Sequence, residues 1–220
     1  MAISKTSICN IALTHLGERS INTVDDDNQR ARLCKLRFED VLKIDLTSHA
    51  WTCVVKRHDC QKSTSNPVWG FDNMFNLPTD FLRLLQLQEV TQPYRIEVST
   101  EGNMVILTNS STAKIRYIHN VFDNLTLLSH EVANLVGIRL ASEIAEPLTS
   151  KTKLKNSLFE RYMVELAQAR SLDSMQGTPE IIDNYSWLNV RNEGSQAQVT
   201  FDIPMTDSSG NNPSPNWNVP

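Results

Sequence analysis

The chain has 220 residues, 40% of them hydrophobic and 21% charged, with a formal net charge of −4. That length suits one domain, or one domain with an insert and a tail, and the composition is too apolar for global disorder. The acidic balance argues against bulk attraction to nucleic acid or acidic lipid, no apolar run approaches the ~18 residues of a membrane span, and MAISKTSICNIALTHLGE, with polar residues inside its apolar stretch, lacks a signal-peptide core.

Residues 4–17 read as the first helix. Ser4 or Thr6 serves as N-cap, Ile8, Ile11, Ala12, His15 and Leu16 share a face, and Gly17 takes the left-handed position past the end. After a loop over 18–26, a second helix runs from about 27 to 48. Its apolar stripe is Ala31, Cys34, Phe38, Val41, Leu42 and Asp45 or Leu46. The run Asp25, Asp26, Asp27 stands at its start. A hard cation wants about six or more arranged oxygens, and no ligand loop is visible. Capping and complementing the helix dipole account for the run better.

From 51 to about 120 the period shifts towards two. Trp51, Cys53 and Val55 alternate with Thr52, Val54 and Lys56, which predicts a strand. NPVWGFDNMFNLP is expected as a loop, and Leu77-Pro78-Thr79-Asp80 as a turn into a buried strand in FLRLLQLQEV. YRIEV (94–98), MVILTN (104–109) and AKIRYIHN (113–120) predict a small antiparallel meander, turning at Glu101-Gly102-Asn103 and at 109–112.

The four cysteines, Cys9, Cys34, Cys53 and Cys60, are expected as reduced thiols. The segment Cys53 to Cys60 with its internal His58 is a single Cys-x6-Cys without a second pair, which is poor zinc spacing. A cysteine nucleophile there would need an orienting third group, and none stands nearby. The five histidines, His15, His49, His58, His119 and His130, are scattered and form no ligand pair.

A third helix is predicted over about 129–145. Ser129 is its N-cap, Val132, Leu135, Val136, Leu140 and Ile144 face the core, and Pro147 ends it. A fourth follows over about 151–175, with Leu154, Leu158, Tyr162, Leu166, Ala169 and Leu172 as its stripe and Gly177 and Pro179 closing it. The short PLTSK connection makes these two an antiparallel hairpin. Lys151, Lys153 and Lys155 crowd the start of the fourth helix, where cations face the positive end of the dipole at a cost of a few tenths of a kcal/mol each, to order of magnitude. Solvated surface lysines explain this most simply; an anionic neighbour or DNA is the sharper alternative. Residues 192–220 contain no Lys or Arg and four of the nine prolines, yet Trp187, Leu188, Val199, Phe201, Ile203 and Trp217 punctuate the C-terminal stretch. That pattern reads as an extended arm with apolar anchors for another surface.

The expected fold is therefore α+β. An antiparallel bundle of about four helices comes from 1–50 and 123–176, an inserted β subdomain spans 51–122, and an extended arm spans 177–220.

Four segments, in order, carry a family resemblance. Residues 10–57 show a helix ending in LG, an acidic loop, a long helix and a His49-Ala50-Trp51 turn into a basic strand. FNLPTDFLRLLQL (75–87) is like an LPxDxLR segment, residues 137–177 contain an LAxxLAxPLT-like turn between long helices, and SWLNVR (186–191) is like a Trp-Leu-x-x-Arg element. Together these resemble the tail tubular protein A family, head-to-tail adaptors of short-tailed bacteriophages. The resemblance covers roughly 1–191, and the longer tail departs from it. It implies a virion protein made in the host cytoplasm, with no cofactor and no catalytic motif. The protein would form a ring, typically of twelve copies, between the portal and the tail nozzle, with double-stranded DNA passing through. Trp187, Leu188, Arg191, Phe201 and Trp217 are the expected partner-docking residues, and Lys151, Lys153 and Lys155 the expected contacts to an anionic neighbour or DNA. Two other classes compete. A hydrolase would draw on Asp25 to Asp27 or on Cys53 and His58, but no nucleophile elbow, P-loop or metal signature supports it. A DNA-binding regulator would need a basic recognition helix, which is absent.

Overall fold

The computed structural model describes residues 2–88 and 92–177. Among them it is a mixed α and β protein with four helices and two small antiparallel sheets. Residues 178–220, for which an arm with apolar anchors is expected, lie outside the described residues.

Helix α1 (Lys5–Leu16) starts at Ser4, whose hydroxyl accepts from the Ser7 amide while the Ser7 hydroxyl accepts from the Ser4 amide. This reciprocal box satisfies two otherwise orphaned donors. The helix ends where Gly17 turns left-handed at φ 72°. Its buried face is Ile8, Cys9, Ala12, Leu13 and Leu16; Ile11 and His15 are only half-buried. Helix α2 (Gln29–Ser48) buries the whole expected stripe, Asp45 as well as Leu46. Its cap is Asn28, which accepts from the Ala31 amide at 2.9 Å, and not the Asp run before it.

The strand expected from Trp51 begins four residues later. Thr52–Val54 form a 3-10 turn, and β1 is Val55–Asp59. Long-range bonds override the alternation here: the buried Trp51 indole donates to the Asp45 carbonyl, and the Thr52 amide donates to the Asp173 carboxylate. Inside the expected loop lies a further strand, β2 (Asn73–Asn76), with Met74 and Phe75 buried on opposite faces. Strands β3 (Phe81–Leu87), β4 (Tyr94–Val98), β5 (Met104–Thr108) and β6 (Lys114–His119) follow.

The meander does not form. β4 and β5 make the expected hairpin, with Gly102 at φ 85° in its turn, but β6 leaves for the other sheet. One sheet has the order β1-β6-β3 and the second β2-β5-β4. One face of β6 is buried along its length, with Ile115 and Tyr117 joining Phe75 and Ile106 between the sheets; on the other, Ile118 joins the helical cluster while Lys114 is exposed and Arg116 half-buried.

Helix α3 (His130–Thr149) runs past the expected stop, with Pro147 inside its last turn. A proline this close to the C-terminus breaks only one ladder bond. The Thr149 hydroxyl donates to the Ala145 carbonyl, the half-buried Leu148 packs on the core, and Ser150, left-handed at φ 56°, ends the helix by donating to the Glu146 carbonyl. Helix α4 (Thr152–Ser174) buries Leu158, Tyr162, Leu166 and Ala169 as expected. The stripe then continues through Asp173, leaving Leu172 53% exposed. The cap is Met175 rather than Gly177. Helix α3 touches the three other helices and is buried around most of its circumference.

Candidate interaction surfaces

The structure disperses the constellations that hinted at chemistry. Cys53 packs against the helical cluster, Cys60 lies between the sheets, and His58 is exposed on β1. Burial pushes the Cys53 thiol up and the Cys60 thiol up to about 11, helped in each case by a nearby aspartate. A nucleophilic cysteine needs the opposite shift. The three aspartates before α2 do not converge. Asp25 pairs with Lys35 at 2.6 Å, Asp26 accepts from the Asn22 amide and the Thr23 hydroxyl, and Asp27 pairs with Arg32. The hydrogen bond from Lys35 holds Asp25 below its ordinary range, and that from Thr23 does the same for Asp26. Among the described residues no group of three or more His, Cys, Asp or Glu side chains could hold a metal ion.

At the start of α4 the three lysines part company. Lys155 reaches back across the turn to Glu146 at 3.1 Å. Lys151, at the N-cap without a side-chain cap bond, and Lys153 are exposed. Trp187, Leu188, Arg191, Phe201 and Trp217 lie outside the described residues.

Two buried polar hubs were not singled out from the sequence as sites. Asp45 is fully buried; it accepts from the Tyr162 hydroxyl at 2.8 Å and faces Arg139 at 3.5 Å, so it joins α2, α3 and α4. Its Oδ2 has no partner. Burial pushes this carboxyl up to about 7, against the pull of Tyr162 and Arg139. The second hub is Asp173, which accepts from the amide and hydroxyl of Thr52 and lies 3.3 Å from His49. It pins the end of α4 to the His49-Ala50-Trp51 turn. The available signal was an acid at a stripe position of each helix, since an acid there must find partners. Both hubs join elements: the first is buried among three helices, and the second lies at the surface end of α4, where Thr52 is exposed.

Two open features remain. The loop before β2 displays Val68 and Trp69, 91% and 80% exposed, above the outer face of the β2-β5-β4 sheet. On the other sheet, β1 is an edge strand whose residues 56–59 are all exposed. The register sets Arg57 opposite Arg116 and Asp59 opposite Lys114. With Gln86 and Gln88 of the β3 side these line a cleft of about 470 Å³. Among the described residues no helix is long and apolar enough to cross a membrane. A scan against protein-family models matches none, and a search of curated proteins finds no match.

Proposed function

We propose that this chain is a structural virion protein, a head-to-tail adaptor similar to the tail tubular protein A family, rather than an enzyme. In this reading the four helices form the bundle core, residues 51–122 form an inserted β subdomain, and residues 177–220 form a docking arm. About twelve copies close into a ring between portal and nozzle, through which DNA leaves the capsid. The single observation that carries the proposal is the order and spacing of the four segments at 10–57, 75–87, 137–177 and 186–191.

The architecture supports it in one respect. The motif residues inside the described range act at joints between elements. Trp51 is buried at the junction of α2 and β1, Asp80 ties Lys56 to Tyr117, and Ser150 turns α3 into α4. Residues that hold elements together suit a protein whose task is carried by its shape. A heterologous contact repeated around a rotation axis then closes a ring.

The experiment is cryo-electron microscopy of the purified protein, alone and mixed with its portal. The expected outcome is a closed ring with cyclic symmetry and an open channel, seated on the portal. A protein that stays monomeric and leaves the portal bare overturns the assignment.

A further inference from the structure

The sheet edges among the described residues are not equivalent. The outer side of β2 is covered, because Lys62 bridges to Phe75 and the Asn76 amide donates to the Gln61 carbonyl. β3 is irregular in register, and Arg83 ties it to the Thr47 carbonyl at the end of α2. β4 carries Arg95 and Glu97 4.0 Å apart, so its charges cancel. β1 is different. The Cys60 amide donates to the Ala113 carbonyl, which fixes 60/113, 58/115 and 56/117 as the bonded pairs with β6. Val55, Arg57 and Asp59 therefore point their amides and carbonyls outward, and none of these groups meets a backbone partner among the described residues.

The side chains along that edge are unbalanced. Lys56, Arg57 and His58 are consecutive and exposed, Lys114 stands on the neighbouring strand, and Asp59 is the one acid among the residues lining the cleft. Lys56 is engaged by Asp80, but neither Arg57 nor Lys114 forms an ion pair among the described residues. Charged edges normally guard a sheet against pairing with its own kind. Two copies of this edge paired at Arg57 would set like charges side by side, whereas a strand carrying carboxylates at that position would be attracted. We propose that the open edge of β1 is a docking site for an extended acidic peptide segment of a partner protein, which adds as a fourth strand. Backbone bonds to Arg57 and Asp59 hold it, and carboxylates facing Arg57 select it, in a positive field to which Lys114 on the next strand adds. A nucleic acid would match the charge but would leave the outward amides and carbonyls unused. This inference does not depend on the adaptor reading.

The test uses the full chain and a synthetic acetylated peptide of about nine residues alternating valine and glutamate, a typical strand length or slightly more. Three companions are a lysine-for-glutamate peptide, an acidic peptide N-methylated at alternate amides, and a short DNA duplex. The acidic peptide is expected to bind, to weaken about fivefold or more between low and moderate salt, and to protect the Arg57 and Asp59 amides from exchange. The lysine and N-methylated peptides should bind at least about tenfold more weakly, and Arg57→Glu with Lys114→Glu should reverse the preference between acidic and basic peptides. Both positions are exposed, so an unchanged melt checks that the variant folds. Equal binding of the N-methylated peptide, no protection at Arg57 and Asp59, or binding of the duplex in place of the peptide each overturns the proposal.

Discussion

A buried carboxylate with one unsatisfied oxygen is the most consequential single residue described. Asp45 occupies an apolar stripe position of α2, and its carboxyl is pushed up to about 7 from an ordinary value of 3.8. The folded state therefore holds the proton more tightly than the unfolded chain does. Linkage then sets the sign: this group's contribution is fully present below the unfolded value and is lost as pH rises through about 7. Asp45→Asn keeps an acceptor for the Tyr162 hydroxyl and removes the titration. Thermal melts from pH 4 to 8 should show the wild type losing stability relative to the variant across that window, by an amount on the order of a few kcal/mol. Parallel profiles for the two proteins would refute this account of the hub.

Among the elements, α1 and α3 make the closest approach that a glycine permits. A Cβ built on Gly137 would lie 2.6 Å from Cγ2 and 3.0 Å from Cβ of Ile11. Those atoms sit near the backbone of a β-branched residue, which has little rotamer freedom in a helix. Gly137→Ala should gain about 1 kcal/mol of helix propensity but lose more to the forced separation, since overpacking costs roughly 1–3 kcal/mol. Denaturant unfolding should thus give a net loss, relieved by adding Ile11→Ala. If Gly137→Ala raises the midpoint, the two helices do not cross this tightly.

For the whole molecule, the adaptor reading assigns separate tasks to core and arm. Among the described residues, the three apolar clusters, one around the helices, one between the sheets and one outside the second sheet, run from Ile3 to Ala169. Truncation after Gly177 should leave a folded subunit whose melting temperature barely changes while portal binding fails. Loss of folding on truncation would assign the C-terminal residues to the core. Infectious particles completed by the truncated protein would remove their docking role.

Local periodicity by itself determined much of this molecule. Ser4 and Gly17 frame α1 as expected, the stripe of α2 is buried residue for residue, and β3 to β6 lie within the segments expected as strands, although β3, expected to be buried, buries only Leu87. Such patterns report which face of an element is buried, because burial repeats at the pitch of the backbone. They do not report what covers that face. Only the tertiary structure moved β6 away from the hairpin before it, gave Met74 and Phe75 a strand, and carried α3 through Pro147. It alone brought Asp45 to Tyr162 and Thr52 to Asp173, partners 117 and 121 residues apart. The open edge of β1 is of the same kind: among the described residues no strand lies on its outer side, and no window of the sequence contains that fact.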